Sequence, residues 1–568
     1  MVADSSYSAW RAFLIFIFPA LGGVLFGFDI GATSSVLTQI EDEETAGVTW
    51  SSNVSNSSSL KGVITSMGVI GALVGSLIMF QIADRIGRRR GLMTSSVLFL
   101  AGSALEYFSG NSEWKYATGI SVLLAGRFIY GVGCGFAMHG APAYIGEMAP
   151  AAIRGLLVSM KEVLIVAGMV LGYSAGGAFT NTVGGYTYTY AVAAPLEIIM
   201  FLGMWYLPFS ARWLALQGRQ QEAYESLLFV SPDMKQSDMD AIVLSARAAA
   251  GMQQSPRKSR DDMHRASAPL LADALHFDNY GVTGGVSRDR GVNASSAGDP
   301  SFQEKKGNLS LARRQGCCTS LSVFNRDGVR PAIIAGVGVV FLQQVTGQPS
   351  VLYYCNTLFK GIGFGASASV AISGFKLVMT LLATFTVDKF GRKKLLYAGM
   401  SCMLVALVVL TIFFYFQSAS DADPDVGGFE KYGIISALFV YIGGYQIGFG
   451  PISWLFISEI FPLEVRGKAV SVAVVCNFFW NAVMSLLFPV ELDAIGTSAT
   501  FMSYAIILLL GIYFVIHYVP ETKNLTLEEI EQLFVAISQR NKPGGNPLKQ
   551  SLLRERLQDI DETNTNSA

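Results

Sequence analysis

Two stretches of this chain carry one signature twice: Glu147-Met-Ala-Pro150-Ala-Ala-Ile-Arg154-Gly155 and Glu459-Ile-Phe-Pro462-Leu-Glu-Val-Arg466-Gly467. Glu, Pro, Arg and Gly have the same spacing in both. A second pair of matching segments, residues 84–89 and 388–393, lies upstream, and in each an acid and several cations flank a glycine. Because both signatures recur in the same order about half a chain apart, the sequence predicts two duplicated halves. Secondary membrane transporters are the main class of protein built in this way.

The composition is that of a membrane protein. Apolar residues make up 51% of the chain and charged residues 15%, well below the ~25% charged residues of soluble domains. Apolar runs of about 20 residues, the length that crosses a bilayer as a helix, recur near 13–37, 61–83, 92–109, 118–140, 156–178 and 189–207. After a polar interval they resume near 330–355, 367–387, 394–416, 432–456, 468–490 and 499–519. The sequence therefore predicts an all-α membrane protein with twelve transmembrane helices in two pseudo-symmetric six-helix halves.

The polar segments divide the chain further. The predicted parts are an N-terminal half, a cytosolic central loop, a C-terminal half and a cytosolic tail, at residues 1–208, 209–328, 329–520 and 521–568. The pattern at 220–244 is typical of one or two short amphipathic helices. Residues 250–312 are rich in Ser, Gly, Ala and Arg, a composition that predicts disorder.

The positions of Lys and Arg predict which loops are cytosolic. Residues 85–90 include four Arg, and residues 389–394 include four Lys or Arg, whereas residues 41–44 are all acidic. Since positively charged loops stay cytosolic, we expect both termini and the central loop to be cytosolic. Two glycosylation tripeptides, at Asn53 and Asn56, then fall on the non-cytosolic face.

Other classes of protein fit the sequence poorly. The first apolar segment is too long, and too polar at Asp29, for the core of a signal peptide, so we expect it to be retained as a helix. Four of the six cysteines fall in predicted spans, which indicates packing rather than a disulfide framework. The sequence shows no metal cluster, catalytic triad or phosphate loop. We therefore expect neither an enzyme nor a cofactor, and no nucleic-acid partner.

The duplicated signatures fall at predicted cytosolic helix ends. Carboxylates and guanidiniums at such ends can form ion pairs between helices that hold one face closed and break when the helices separate. The alternative is that these charges only set the topology. The expected gate charges are Asp84, Arg85, Arg88, Glu147, Arg154, Asp388, Arg392, Glu459 and Arg466.

Further motifs carry a resemblance to a known family. The paired signatures, together with Gly-Pro451-Ile-Ser-Trp454, Phe-Leu-Gln343-Gln344-Val-Thr-Gly347 and Val-Pro520-Glu521-Thr522-Lys523, resemble the sugar porters of the major facilitator superfamily. The segments Ser-Met-Lys161-Glu162, Gly347-Gln348-Pro349 and Gly443-Gly-Tyr445-Gln446 are similar to the plant and algal D-xylose-proton symporter-like and vacuolar glucose transporter branch. The resemblance implies that a single chain moves a monosaccharide by alternating access, glucose or another hexose first and xylose as an alternative. It suggests a vacuolar or other endomembrane, with the plasma membrane as the alternative.

Asp29 and Arg127 are two charges inside predicted spans. A carboxylate in hydrocarbon costs several kcal/mol, so we expect Asp29 to face a cavity or a partner. An Asp–Arg pair can exchange protonation of the acid for ion pairing. In the family that this chain resembles, proton-coupled members use these two positions for coupling, and facilitative animal members have Asn in place of Asp29. The resemblance implies proton symport, and a permanent salt bridge, a uniporter and a non-transporting sugar sensor stay as alternatives.

A sugar site needs amides for the hydroxyls and an aromatic plate for the ring. The resemblance places sugar contacts at Phe26, Gln343, Gln344, Gln348, Tyr353, Trp454 and Asn477. In well-known relatives an amide is found where this chain has Glu162 and commonly where it has Lys376, and Pro349 replaces a family Asn beside Gln348. We include Glu162 and Lys376 in the site, and hypothesise that they pair across the two halves because either charge alone in lipid is costly. Glu197 in the sixth predicted span has no role in this scheme.

Overall fold

The computed structural model of this protein describes residues 7–150, 153–249, 328–420, 427–462 and 465–540. Over these ranges the regular secondary structure is helical, with no strand. The membrane-spanning helices belong to one compact unit, residues 1–243 and 325–568. Of the second unit, residues 244–324, the structure describes 244–249. The segment predicted to be disordered, 250–312, lies outside the described residues.

The N-terminal half contains the first six spans and three short helices. In chain order they are α1 (Ala9–Glu41), α2 (Glu43–Ala46), α3 (Ser51–Ser55), α4 (Ser58–Ile86), α5 (Arg88–Phe108), α6 (Tyr116–Met148), α7 (Arg154–Ala178), α8 (Gly185–Ala191) and α9 (Ala194–Tyr206). Helices α8 and α9 together form the sixth span. Pro195 lies in the first turn of α9, where its missing N–H costs no hydrogen bond.

Three shorter helices follow, and then the C-terminal half. The first are α10 (Ala211–Leu216), α11 (Gln220–Val230) and α12 (Gln236–Ala249), and the last two of these cover the stretch predicted to form amphipathic helices. The C-terminal half consists of α13 (Val329–Val345), α14 (Gln348–Tyr353), α15 (Cys355–Gly361), α16 (Ala366–Phe390), α17 (Arg392–Ser420), α18 (Gly427–Gly448), α19 (Gly450–Ile460), α20 (Arg466–Ile495) and α21 (Thr497–Tyr518). Helices α13 and α14 form the seventh span, and α18 and α19 form the tenth.

The prediction of twelve transmembrane helices is confirmed. Among the described residues, eleven helical segments are long and apolar enough to cross a membrane. The remaining span is α7, which has 25 residues, enough to cross a bilayer as a helix. We call the end of the bundle where α4 and α16 end the signature end, and the end where α1 ends and α4 begins the opposite end.

The turn between the second and third spans of each half depends on a glycine with a positive φ. Gly87, between α4 and α5, has a φ of 83°, and Gly391, between α16 and α17, has a φ of 91°. L side chains rarely adopt this conformation, so glycine is required at both places. The central glycine of the upstream signature therefore has the same structural role in both halves, and it places Arg88 and Arg392 at the start of a helix.

Close backbone contacts hold the N-terminal half together. A Cβ atom at Gly131 of α6 would overlap the Gly68 carbonyl oxygen of α4, and a Cβ atom at Gly27 of α1 would overlap the Ile165 carbonyl oxygen of α7. Small residues permit such approaches between membrane helices. As a result α1, α4, α6 and α7 lie backbone to backbone around the middle of the bundle, where the buried charges are found.

A helix in the segment predicted to be a polar tail packs against the bundle. Helix α22 (Leu527–Arg540) follows Thr526, whose Oγ1 accepts a hydrogen bond of 3.3 Å from the Glu529 N–H, while Glu529 Oε2 accepts one of 2.7 Å from the Thr526 N–H. This capping box lowers the pKa of the exposed Glu529 carboxyl, because the Thr526 N–H and hydroxyl donate to the charged form. Ile530 and Phe534 are buried.

Candidate functional site

Asp29 and Arg127 form a buried ion pair in the middle of the N-terminal half. Arg127 Nη1 contacts Asp29 Oδ1, and Nη2 donates to Oδ2 at 3.3 Å, so the contact is bidentate. Asp29 is 5% exposed and Arg127 is 0% exposed. Two further bonds hold the pair: Thr33 Oγ1 donates to Asp29 at 3.4 Å, and Arg127 Nε donates to the Ile64 carbonyl at 3.4 Å. The two charges predicted to lie inside the membrane are thus brought together, on α1 and α6.

The space for this pair is provided by a glycine of α4. A Cβ atom at Gly68 would lie 2.9 Å from Arg127 Nη2 and 3.5 Å from Asp29 Oδ2. The first distance is shorter than real Cβ contacts, so a larger residue would displace the Arg127 head group. Gly68 was not among the predicted site residues, because one glycine in a glycine-rich span gives no distinguishing signal.

Two more buried carboxylates lie near the pair. Glu106 of α5 places Oε1 3.6 Å from Arg127 Nη1, and both residues are fully buried. Glu197 of α9, which had no role in the sequence scheme, accepts a hydrogen bond of 2.5 Å from Ser103 of α5. Glu106 was missed by the sequence analysis. The cost of a carboxylate inside a span, the argument applied to Asp29, would have found it.

The predicted sugar contacts on the seventh span lie where the span is interrupted. Helix α13 ends at Val345, Gly347 has a φ of 85°, and α14 begins at Gln348. Gln343, Gln344, Gln348 and Tyr353 are all buried around this break. A break of this kind exposes amide side chains to the centre of the bundle, and it follows from Gly347 and from a proline in the first turn of α14.

Several polar atoms around the break have no protein partner. Gln344 Oε1 accepts from Asn481 Nδ2 at 3.1 Å, and Gln343 Nε2 donates to the Phe449 carbonyl at 3.4 Å. In the part of the chain that the structure describes, Gln343 Oε1, Gln348 Nε2 and the Tyr353 hydroxyl have no hydrogen-bond partner although they are buried. Because buried polar groups are nearly always paired, these atoms are suited to bind a polyhydroxylated ligand.

Aromatic side chains from both halves lie at the same level. The ring of Phe26 on α1 meets the ring of Phe478 on α20 edge to face, with centroids 5.9 Å apart. Lys161 Nζ of α7 lies 5.3 Å from the ring centroid of Trp454 on α19. Phe26 and Trp454 are partly buried, and the neighbouring Asn477 of α20 is buried. Phe26 and Trp454 thus offer ring surface near the interface between the halves.

The hypothesised pair of Glu162 and Lys376 is not present in this structure. Within the described ranges no ion pair of 4.0 Å or less joins them. Lys376 Nζ instead lies 3.7 Å from Met169 Sδ and 5.8 Å from the ring centroid of Tyr445. Met169 follows Glu162 by two turns of α7, about 10 Å of helix. The ammonium thus contacts Met169 and not the Glu162 carboxylate, although the two charges still interact electrostatically, and Glu162 is partly exposed.

The gate charges form the same ion pair in both halves. Arg88 at the start of α5 contacts Glu147 at the end of α6 at 3.1 Å, and Arg392 at the start of α17 contacts Glu459 at the end of α19 at 2.8 Å. These positions correspond in the two signatures, and each pair joins helices within one half. Arg88 also contacts the exposed Asp84 at 2.9 Å.

The other expected gate charges differ in their surroundings. Arg85 is exposed, and Arg466 Nε donates to the Phe461 carbonyl at 3.1 Å. The side chains of Arg154 and Asp388 lie outside the described part of the structure. The C-terminal gate has further support, because Thr522 Oγ1 donates to Glu459 Oε2 at 2.9 Å.

At the opposite end, hydrogen bonds join one half to the other. The Asn356 N–H of α15 donates to Ser34 Oγ at 3.0 Å, and Asn356 Nδ2 donates to Ser35 Oγ at 2.7 Å. Tyr173 of α7 donates to the Leu352 carbonyl at 2.5 Å. An ion pair of 3.7 Å between Lys360 and Asp42 also joins the halves here, and the Ser58 hydroxyl donates to the Asp493 carboxylate. The halves are thus tied together at this end, whereas the gate ion pairs described above stay within each half.

Comparison with known proteins agrees with this architecture. The family described as "Sugar (and other) transporter" matches residues 15–266 and 285–534. The chain is 38% identical over 535 residues to the D-xylose-proton symporter-like 3, chloroplastic, of Arabidopsis thaliana, covering 93% of this chain and 83% of that protein. It is 31% identical over 523 residues to the D-xylose transporter of Levilactobacillus brevis, covering 91% and 94%. A solved structure of the xylose transporter XylE from E. coli, partially occluded and inward open, matches with a TM-score of 0.67 and 22% identity over 91% of this chain and 100% of that one.

Proposed function

Because the chain belongs to the family of sugar transporters, we propose that it carries a monosaccharide across a membrane by alternating access, driven by proton symport through Asp29 and Arg127. The observation that carries the proposal is the buried, bidentate Asp29–Arg127 pair. The same protein holds buried amide atoms that have no hydrogen-bond partner among the described residues. The proposed substrate is glucose or another hexose, as the sequence resemblance implies, with xylose as the alternative. The names of the relatives from Arabidopsis thaliana and Levilactobacillus brevis, which refer to D-xylose, support that alternative.

Proton binding acts on the pair through its charge. When Asp29 takes up a proton, the carboxyl no longer compensates the Arg127 guanidinium, and the bond between α1 and α6 weakens. Ser34 and Ser35, which accept the hydrogen bonds from Asn356 at the opposite end, lie on α1 five and six residues after Asp29. One helix thus connects the proton site to the contact that closes the opposite end.

The sugar site lies at the interrupted seventh span. Gln343 Oε1, Gln348 Nε2 and the Tyr353 hydroxyl offer acceptors and donors for the sugar hydroxyls. Phe26 and Trp454 supply ring faces for the apolar side of the sugar. Gln344, Asn477, Glu162 and Lys376 complete the proposed set of binding residues.

The charged loops and the hydrogen bonds between the halves support a membrane topology and a conformational state. The signature end carries the positive loops, so we assign it, both termini and the central loop to the cytosol. The exposed Asn53 and Asn56 then face away from the cytosol. With hydrogen bonds tying the opposite end, the structure fits a state that opens to the cytosol. The ion pairs at the signature end lie within each half and are intact in this state. We therefore propose that they hold each half rigid while the gap between the halves closes and opens, in place of the predicted latch that breaks on opening.

We retain the division into halves, central loop and tail at residues 1–208, 209–328, 329–520 and 521–568. A single chain supplies every proposed site residue, so the monomer is the proposed functional unit. The proposed location is a vacuolar or other endomembrane, with the plasma membrane as the alternative. Fluorescence microscopy of a tagged chain, with markers for the vacuole, plastid and plasma membrane, tests the location.

The test of function is uptake of radiolabelled glucose and xylose into proteoliposomes, with and without an inward proton gradient. We expect accumulation with the gradient in the wild type, and none in Asp29→Asn, which should keep downhill exchange. Glu222→Gln on α11, an acid-to-amide change at an exposed ion pair with Arg219, is the matched control and should behave as wild type. Equal gradient-independent uptake by wild type and Asp29→Asn would identify a uniporter, and binding without flux would identify a sensor.

A further inference from the structure

Glu106 is a buried acid that the mechanism above does not use. It lies on α5, and its carboxylate is 3.6 Å from Arg127 Nη1, on the same guanidinium nitrogen that contacts Asp29. Among the described residues neither oxygen of Glu106 has a hydrogen-bond partner. Arg127 is therefore the group that can compensate its charge.

The helix next to Glu106 is shaped to receive it. A Cβ atom at Gly126, the residue before Arg127 on α6, would lie 2.9 Å from Glu106 Cγ and 2.9 Å from the Glu106 N atom. Gly126 thus lets α5 approach α6 closely enough for Glu106 to reach the guanidinium. The close contact between α5 and α6 is therefore fixed by the backbones of the two helices, and it does not depend on a flexible surface side chain.

The charges in this cluster do not balance if every acid is ionised. The titratable groups facing Glu106 are Asp29 on α1, Arg127, Tyr130 and Cys134 on α6, Tyr190 on α8 and Glu197 on α9. Three carboxylates and one guanidinium would carry a net charge of −2 inside the membrane, at a cost of several kcal/mol for each uncompensated charge. Arg127 lies within reach of two of these carboxylates, Asp29 and Glu106, so a proton on Glu197 leaves a net charge of −1 on the other three groups.

We propose that Glu106 is the second carboxylate partner of Arg127 and takes over the guanidinium when Asp29 binds its proton. This inference rests on the proposed coupling through Asp29. Before the proton arrives, Arg127 lies between two carboxylates and is held by Asp29. When Asp29 takes up a proton, the Arg127–Asp29 ion pair breaks and an Arg127–Glu106 ion pair takes its place. One proton is bound and none is released, so the net charge of the three groups rises from −1 to 0.

The first test is the pH dependence of proton-driven sugar uptake in proteoliposomes. In Glu106→Gln the protonation of Asp29 would leave Arg127 without a charged partner. We therefore expect the pH of half-maximal uptake to fall by about one unit, with downhill exchange retained. Glu197→Gln is the matched control, since Glu197 is equally buried but is bonded to Ser103; it should keep the wild-type midpoint. A wild-type midpoint in Glu106→Gln overturns the inference.

The second test does not need transport. Melting temperatures are measured in detergent for wild type, Asp29→Asn, Glu106→Gln and the double variant. If Glu106 takes over Arg127, the Glu106→Gln change lowers the melting temperature more in the Asp29→Asn background than in the wild type. Equal losses in both backgrounds overturn the inference. Glu106→Asp, which keeps the charge on a shorter side chain, should show a smaller pH shift than Glu106→Gln and serves if the amide variant does not fold.

The two proposals fail in different ways. Persistent proton-driven accumulation by Asp29→Asn would reject the proposed coupling itself. Loss of coupling in Asp29→Asn, with a wild-type pH midpoint in Glu106→Gln and equal melting losses in both backgrounds, would keep the proposed function and reject only the role of Glu106.

Discussion

Asn356 is the residue whose replacement should most directly shift the balance between the two open states. Its side chain donates to Ser35 Oγ across the halves at 2.7 Å and also accepts from Ser369 Oγ within the C-terminal half. Its backbone N–H donates to Ser34 Oγ at 3.0 Å. Asn356→Ala removes both side-chain bonds and leaves the backbone bond in place.

The two lost bonds have different effects on the conformational equilibrium. The bond to Ser369 lies within one half, so it is made in both states, and its loss lowers overall stability without favouring either. The bond to Ser35 exists only while the opposite end is closed. Since an intramolecular hydrogen bond contributes about 1 kcal/mol net, Asn356→Ala should shift the equilibrium toward the state open at the opposite end by about fivefold.

Distances between spin labels measure this shift. Val183 in the N-terminal half and Phe429 in the C-terminal half are exposed, and both lie near the opposite end. Labels there, in a protein whose native cysteines are replaced, report its opening by double electron–electron resonance. Asn356→Ala should raise the long-distance population about fivefold. Ser373→Ala is the control, because within the described residues the Ser373 hydroxyl bonds to the Val370 carbonyl of its own helix. The reasoning is refuted if Asn356→Ala leaves the distances unchanged, or if Ser373→Ala shifts them equally.

Three further predictions concern the two sites. Gly68→Ala would place a Cβ atom 2.9 Å from Arg127 Nη2. It should lower the free energy of unfolding by about 1–3 kcal/mol and should also reduce proton-driven uptake. Gly146→Ala is the control, because its added Cβ atom would meet no described atom within 4 Å, and it should match wild type in melting and uptake assays. Gln343→Leu should raise the KM for sugar uptake about fivefold, the value of one hydrogen bond, and an unchanged KM would remove Gln343 from the site. Because Lys376 contacts Met169 and not Glu162, exchanging the two charges should not restore the uptake that each single Gln variant loses, and a rescue by the exchange would contradict this prediction.

The sequence was sufficient to predict the transmembrane spans and the elements that are duplicated in the two halves. The apolar runs located all twelve helices, and the repeated glycines Gly87 and Gly391 produce the same turn in both halves. The cost of burying a charge in hydrocarbon identified Asp29 and Arg127 as candidate site residues, and the structure places them in contact. These features depend on local chemistry, which the order of residues determines directly.

The packing of side chains between helices was harder to predict from the sequence. Whether Lys376 reaches Glu162 or Met169 depends on the register of α7 against α16, which no local pattern encodes. The contact of Glu106 with Arg127 depends in turn on the close approach of α5 and α6 at Gly126. The break after Val345, which divides the seventh span into shorter helices, was likewise predicted as one continuous apolar run.

The two halves share their gates but differ in their interiors, and this difference fits symport. Arg88–Glu147 and Arg392–Glu459 repeat one ion pair at equivalent positions, as rigid ends are needed by both halves when they move against each other. In the interior, the N-terminal half carries the buried Asp29–Arg127 pair, whereas the seventh span of the C-terminal half carries buried amides with unpaired polar atoms. A charged cluster can respond to a proton, and neutral amides can bind hydroxyl groups at any pH. Placing the two on opposite sides of one moving interface makes the proton and the sugar act on the same motion.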